Sequence, residues 1–400
     1  MNKEKQRQVG YMILGASAVL LLITSLMSHY NIAIAWFLGL SFGFVFQRSR
    51  FCTVGAIRDV FLLQNFTLAK SILLYLALAT SIFGFLYAVS LQTPITITSK
   101  LEAVGILTVI GAFVFGIGMV IAGGCASGTL IRMGEGLVMQ WWAFLGLISG
   151  LLIGSWTYPL YVDYNYGFPQ LFLADSFGIG GAMVAQLLVL ASIYLTFKWV
   201  ETKNQYDINY ANATEVSNKA SEEVAATNFK NYKKVSVENL LKPWSYKWGA
   251  ISLAILTSLV FLWNKTWGIT GGLTHLFAGL TNKFFINISQ WEIFARVIDQ
   301  SEILLWHPLV PLVIAMVVGS FMSALLAGEF RIRSVAHNRF VVSALVGGFL
   351  MGIGARLANG CNVSAVMSGI PSLSLHGWVF LLFMTLGVLV GIRILTRYLV

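Results

Sequence analysis

Apolar residues in this chain come in long unbroken blocks with no alternation of inward and outward positions, so the pattern predicts helices rather than strands. "YMILGASAVLLLITSLM", "SILLYLALATSIFGFLYAVSLQ" and "LLFMTLGVLVGIRIL" approach or exceed the roughly 20 apolar residues that cross hydrocarbon as helix. Ten such blocks lie near residues 11–27, 32–47, 70–91, 103–122, 137–157, 179–198, 248–264, 309–327, 341–355 and 375–396. The expected fold is therefore all-α and polytopic.

Four segments interrupt this pattern with glycine and polar residues but are too short to cross: "FQRSRFCTVGAIRD" (46–59), "ASGTLIRMGEGL" (126–137), "TWGITGGLTH" (266–275) and "NVSAVMSGIPSL" (362–373). Each is expected to be a short re-entrant helix, because irregular backbone survives at membrane depth only where it packs in protein or lines a cavity.

The chain also repeats itself. Sliding "IGAFVFGIGMVIAGGC" (110–125) by 236 positions lays it on "VGGFLMGIGARLANGC" (346–361), with eight of sixteen positions identical, among them Gly124 and Cys125 against Gly360 and Cys361. Counting spans from a cytoplasmic N-terminus brings the Cys125 segment in from the cytoplasm and the Cys361 segment in from outside, so the two copies are expected to be inverted. The polar stretch 199–246 reads as a solvated cytoplasmic linker between them. The expected organisation is an extra N-terminal span (1–30), a first repeat (31–198), the linker (199–246) and a second, inverted repeat (247–400). The opening basic run lacks a convincing cleavage site behind it and is read as leading a retained span.

Composition agrees: 57% hydrophobic residues, 10% charged and a mean hydropathy of +0.78 describe an integral membrane protein in contact with lipid. The net charge of +10 is explained by topology. In the expected orientation 21 Lys and Arg face the cytoplasm against five outside (Lys100, Lys265, Lys283, Arg296 and Arg356), so both termini are placed inside a cell (inner) membrane and no nucleic-acid partner is implied. Between 265 and 308, Trp267, Trp291, Trp306, Phe284 and Phe285 suit an interfacial segment.

Three cysteines exist, Cys52, Cys125 and Cys361, and all fall in the short segments or in the breaks that open them, none in an ordinary span. The first turn of a short helix offers unpaired N–H groups to an anion, glycine lets a ligand approach the backbone, and a neutral thiol adds a weak donor suited to a soft acceptor. Gly124, Ser127 and Thr129 beside Cys125, and Arg356, Asn359 and Asn362 beside Cys361, complete the candidate site. Arg356 is the candidate anion guide. Arg48 and Arg50 serve as anchors or attract anions. Arg58 with Asp59, and Glu329 with Arg331 and Arg333, read as loop ion pairs. No metal site is expected, since His275, His307, His337 and His376 are scattered and Met119, Met133, Met351 and Met367 read as packing residues. No cofactor motif is visible.

"GFVFQRSRFC...IRD", "GIGMVIAGGCASGTLIRMGEG" and "GIGARLANGCNVSAVMSGIPSLSLHGW", with "GEFRIR" ahead of the last, resemble the signature blocks of the YeeE/YedE sulfur-transport membrane proteins over residues 32–396. The resemblance implies uptake of thiosulfate or a similar sulfur anion, without enzymatic chemistry, with Cys125, Cys52 and Cys361 relaying the ion through transient S–H to sulfur hydrogen bonds. It also implies a small cytoplasmic sulfur carrier of the TusA type as partner. The last block is closer to the YedE branch, some members of which are associated with selenium metabolism, so a selenium compound is an alternative substrate. A membrane thiol oxidoreductase is the alternative from another class.

Overall fold

The computed structural model describes residues 3–27, 29–90, 102–161, 171–212, 241–263, 267–284, 307–335 and 337–398. Thirteen α-helices follow one another among them: α1 (Lys3–Leu26), α2 (Tyr30–Ser49), α3 (Thr53–Leu63), α4 (Thr67–Ser90), α5 (Ile106–Ile121), α6 (Ala126–Gly134), α7 (Val138–Trp156), α8 (Leu173–Asn212), α9 (Tyr246–Leu262), α10 (Ile269–Phe284), α11 (Leu309–Leu326), α12 (Asn338–Leu357) and α13 (Leu375–Tyr398). A short π-helix, Asn362–Gly369, lies between α12 and α13. Nine helical stretches among the described residues are long and apolar enough to cross a bilayer, two of them being α2 continued by α3 and α5 continued by α6. The apolar α9 is shorter, with 17 residues. In hydrocarbon a backbone must satisfy its own polar groups, which is why the apolar blocks resolve into helices.

The helices touch through glycine. At the crossing of α5 and α12, a Cβ on Gly111 would lie 2.5 Å from the Ala358 nitrogen and 2.7 Å from the Gly354 oxygen. A Cβ on Gly347 would lie 2.3 Å from the Ala122 nitrogen and 2.8 Å from the Gly118 oxygen. Each of these contacts becomes the other when 236 is added to one partner and subtracted from the other. Gly111 sits beside Gly354 whereas Gly118 sits beside Gly347, so α5 and α12 run antiparallel. Two copies of one segment meeting antiparallel is what an inversion requires.

The rest of the bundle obeys the same exchange. Gly146 and Gly150 of α7 abut Leu345 and Phe349 of α12, while Gly387 of α13 abuts Phe113 of α5. Gly39 and Gly43 of α2 meet Leu312 and Met316 of α11, and α4 meets α9 through stacked Phe83 and Phe261, 3.9 Å between ring centroids. Side chain to backbone bonds are paired too. Ser320 of α11 donates to the Ile131 carbonyl at 2.7 Å, and Tyr75 of α4 donates to the Met367 carbonyl at 2.8 Å, positions 131 and 367 being 236 apart. Helix α1 lies outside this arrangement, against α2 and α11.

Three sequence expectations change. Helix α8, kinked at Gly178 (φ 70°), runs past the end of the 179–198 block and continues as helix to Asn212, inside the stretch expected to be solvated linker. Its later turns are held by an ion pair between Lys70 and Glu201, with Lys203 over the Trp199 ring at 5.6 Å. Residues 213–240 lie outside the described residues. Trp267 is not interfacial, because its ring is 2% exposed and stacks on Phe42 at 4.1 Å. Trp291, Trp306 and Phe285 lie outside the described residues, as does the side chain of Phe284.

Glu329 does not pair with its neighbours Arg331 and Arg333. It reaches Arg48 at 2.6 Å and Arg50 at 3.4 Å, while Arg50 also meets Glu135 at 2.9 Å. The reason is the register of α2 against α11, which brings the C-terminal ends of both helices together and buries Arg48. The Trp244 N–H donates to the Arg48 carbonyl at 3.0 Å, so the chain returning after the linker is fastened to the same corner. Arg58 and Asp59 do pair, at 2.9 Å.

Candidate functional site

All three cysteines occupy the same place in their local structure. Cys52, Cys125 and Cys361 are the N-cap residues of α3, α6 and the π-helix, each with extended backbone. Each carbonyl accepts the N–H four residues on: Ala56 at 3.0 Å, Thr129 at 2.8 Å and Ala365 at 2.8 Å. Gly268 accepts from Gly272 at 3.3 Å ahead of α10, so the fourth short helix begins on a glycine. Every thiol is thus carried at a helix N-terminus, where free N–H groups and the positive end of the helix dipole collect.

The breaks that create these positions are built alike. After α5 the Gly124 N–H returns to the Met119 carbonyl at 2.9 Å, and after α12 the Gly360 N–H returns to the Ala355 carbonyl at 2.9 Å. The residue between helix and return is left-handed in both: Gly123 (φ 75°) and Asn359 (φ 50°). Glycine and asparagine are the residues that tolerate this conformation, which gives Asn359 a place in the backbone turn.

Two thiols are neighbours. Those of Cys52 and Cys125 lie close enough to interact, and Cys125 Sγ lies 3.1 Å from Ser127 Oγ. Cys361 is held apart from them. Its N–H donates to Ser364 Oγ at 2.8 Å, Ser364 Oγ lies 3.5 Å from its sulfur, and Thr270 in the first turn of α10 completes the thiol's surroundings. Asn362 bridges the two groups, with Nδ2 donating to Thr53 Oγ1 at 2.9 Å. Cys125 and Cys361 are 2% and 1% exposed, and Cys52 is half-buried.

An arginine stands at either end of this chain of contacts. Arg356 leans its stem on Gly154, binds Thr274 Oγ1 with one guanidinium nitrogen, and is close enough to Cys361, His275, Tyr158, Tyr161 and Glu102 to interact electrostatically. His275 stacks on His307 at 4.1 Å. Tyr161, beyond the end of α7, donates to the Gly154 carbonyl at 2.6 Å, and burial pushes its hydroxyl up to about 12, so it stays neutral. At the other end Arg132 interacts with Cys52 and donates to the Gly123 carbonyl.

Several buried polar side-chain atoms at this site have no partner among the described residues. Thr129 Oγ1, Asn362 Oδ1, Gln140 Oε1 and Arg356 Nε are all in this position. Such atoms are costly in a closed interior and are found where something else completes them. Gly124 supplies space, since a Cβ there would lie 3.7 Å from both Arg132 Nη1 and Gln140 Oε1. Two lateral grooves, of about 510 Å³ between α1, α2, α9 and α11 and about 860 Å³ between α4, α8 and α9, are lined by other residues. Among the described residues no three His, Cys, Asp or Glu side chains converge as metal ligands.

The structure therefore brings Cys52, Cys125, Ser127 and Thr129 together, places Asn362 between them and Cys361, and sets Arg356 beyond Cys361. Sequence reasoning missed Thr53, Thr270, Ser364, Arg132, Gln140 and His376. The last two were within reach, because the 236-residue offset that matches Cys125 to Cys361 also matches Gln140 to His376.

Comparison with known proteins gives a consistent picture. A model of the sulphur transport family matches residues 48–390. The chain is 29% identical to the thiosulfate transporter TsuA of Spirochaeta thermophila over 371 residues, covering 87% of this chain and 94% of that protein. It is 29% identical to the thiosulfate transporter TsuA of Escherichia coli over 360 residues, 88% of this chain and 90% of that one. With the probable transporter YedE of Escherichia coli it shares 31% identity over 179 residues, 43% of this chain and 42% of that protein.

Proposed function

Because this chain belongs to the sulphur transport (YeeE/YedE) family, we propose that it carries thiosulfate, or a closely related soft sulfur anion, across the cell membrane into the cytoplasm. The observation that carries this reading is the placement of every cysteine at the N-terminus of a short helix in the middle of the bundle. The anion meets Arg356 on the outer side and passes Cys361. It then crosses the Asn362 and Thr53 link to the Cys52 and Cys125 pair and leaves past Arg132. Gly124, Ser127 and Thr129 cradle it at Cys125, and Asn359 shapes the turn ahead of Cys361.

The chemistry favours exchange over capture. A helix N-terminus attracts an anion with backbone N–H groups, and a neutral thiol adds one weak S–H donor. Neither grips as a lysine ammonium would, so each station binds and still releases. The terminal sulfur of thiosulfate is polarizable and accepts from a thiol, whereas sulfate offers only hard, strongly hydrated oxygens. The reading is of transport with no bond made or broken, and of no resident cofactor.

The same reading divides the chain into an extra helix (1–30), two inverted transport repeats (31–198 and 247–400) and a cytoplasmic linker (199–246). The reciprocal antiparallel contact of α5 and α12 supports it. The excess of Lys and Arg on one set of loops supports cytoplasmic termini in the inner membrane. A TusA-type carrier as cytoplasmic receiver rests on the family resemblance alone. Uptake of labelled thiosulfate into proteoliposomes, with sulfate, selenite and selenate as competitors, tests the proposal. Sulfate competing as strongly as unlabelled thiosulfate would overturn it.

A further inference from the structure

The ends of α5 and α12 nearest the thiols are closed by side chains from the helices that follow. Gln140 Nε2 donates to the Ala122 carbonyl at 3.2 Å, and His376 Nε2 lies 2.8 Å from the Ala358 carbonyl. Both spans are 18 residues, and both pairs are related by the 236-residue offset. The two side chains also cover equivalent glycines. A Cβ on Gly124 would lie 3.7 Å from Gln140 Oε1, and one on Gly360 would lie 3.3 Å from His376 Cε1. Gln140 is 2% exposed and His376 is 2% exposed.

A carbonyl in the last turn of a helix has no partner within that helix, and at membrane depth no water replaces it. It also carries the negative end of the helix dipole. Here that negative end sits three residues ahead of a thiol that is to receive an anion. An N–H donor on it satisfies the carbonyl, offsets the local negative potential, and pins the turn that aims the cysteine. Glutamine and histidine share little except such a donor, and the molecule uses one in each half.

We propose that His376 is a positioning residue for Cys361, holding the end of α12 as Gln140 holds the end of α5, and that its contribution is a neutral N–H donor rather than a change of charge. The inference rests on the thiol pathway proposed above. The halves are unequal in one respect. In the first, Arg132 donates to the neighbouring Gly123 carbonyl; the position 236 residues on is Ser368, whose hydroxyl has no partner among the described residues. His376 therefore works with less help than Gln140.

The test compares His376→Ala, His376→Gln and Gln140→Ala in the full chain, reconstituted in proteoliposomes. We expect His376→Ala to lower thiosulfate uptake about tenfold, as loss of a buried hydrogen bond does. His376→Gln should stay within about twofold of the parent and Gln140→Ala should fall between them. The second readout is alkylation of Cys361 by a small maleimide in a Cys52→Ser/Cys125→Ser background, where it is the sole thiol. Its rate should change several-fold in His376→Ala and return in His376→Gln. This measures the geometry of the turn without transport, so it stands even where Cys361→Ala transports normally, a result that would sink the thiol pathway instead. Should His376→Ala fail to reach the membrane, His376→Gln still decides. A folded His376→Gln that is inactive, with altered alkylation, overturns the proposal, as does a His376→Ala indistinguishable from the parent in both readouts.

Discussion

Asn362 Nδ2 donates to Thr53 Oγ1 at 2.9 Å, so the residue following the thiol of one repeat holds the residue following a thiol of the other. The bond crosses 309 positions of sequence and joins two helix N-termini. It ties the Cys361 station to the Cys52 station. Replacing Asn362 by Ala removes it at a buried site, and thiosulfate uptake is expected to fall about tenfold with expression unchanged. Asn362→Asp keeps the shape but puts an anion beside the path, and uptake is expected to vanish. Uptake in Asn362→Asp equal to that in Asn362→Ala would show that no anion passes this point.

Gly128 offers a test in which stability and transport move in opposite directions. It lies in α6, three residues after Cys125, and a Cβ there would meet only Cys125 Sγ, at 3.7 Å. Gly128→Ala is therefore free of clash, and exchanging glycine for alanine in a helix stabilises it by about 0.5–1 kcal/mol. The added methyl occupies the open face of the thiol. The variant is expected to have an unchanged or raised Tm in detergent and about tenfold slower uptake. A faster or equal rate would place the ion on another face of Cys125.

Arg356 is expected to act in capture. Its guanidinium is fixed by Thr274 while Nε has no partner among the described residues, so part of its donor capacity is available. Arg356→Gln should raise the KM for thiosulfate about tenfold and leave the maximal rate within about twofold, and the effect should shrink at high ionic strength as screening grows. A fall in maximal rate at unchanged KM would move Arg356 from the mouth of the path to a later step.

The corner formed by Arg48 and Glu329 is expected to be structural. Arg48 is buried and its charge is met by Glu329, whose side chain is 37% exposed. Removing one partner of a buried pair commonly costs 3–5 kcal/mol, and the exposure of Glu329 reduces this to about 2 kcal/mol. Glu329→Gln should lower Tm in detergent by several degrees and leave the KM for thiosulfate unchanged. A changed KM at unchanged Tm would assign the corner to the pathway.

What the sequence disclosed, and what it hid, follows from distance along the chain. The spans, the short helices and the repeat are local or periodic signals, and each cysteine announced itself by following glycine or arginine-rich breaks. The bond from Asn362 to Thr53 could not be read, because it depends on how two repeats dock, and so did the choice of Arg48 over Arg331 by Glu329. The helical stretch from Trp199 to Asn212 was hidden for another reason. Its composition is polar, and only the partner Lys70 on α4 shows that it has a surface to lie on. His376 looked isolated because metal chemistry was sought, whereas its meaning lay in the repeat.

The cysteines themselves give the ranking that tests the whole scheme. Cys125 interacts with Cys52, lies 3.1 Å from Ser127 Oγ, follows two glycines and is 2% exposed, so it serves the pair station and the hydroxyl cradle together. Cys125→Ala removes the only thiol shared by both and is expected to abolish uptake. The lost volume is one sulfur atom, so the protein should remain folded and present in the membrane at normal level. Cys125→Ser keeps a donor but presents a hard, well-hydrated hydroxyl, and uptake should be impaired as well. Cys361→Ala should be severe, because its station has no second cysteine: Gly268 stands where Cys52 stands in the first repeat, and Thr270 and Ser364 supply hydroxyls only. Cys52→Ala should do the least damage of the three, since Cys125 remains beside it. Growth on thiosulfate as sole sulfur source, checked against membrane expression, reads all four variants. Growth of every Ala variant at the parental rate would make the cysteines packing residues and remove the basis for a thiol relay.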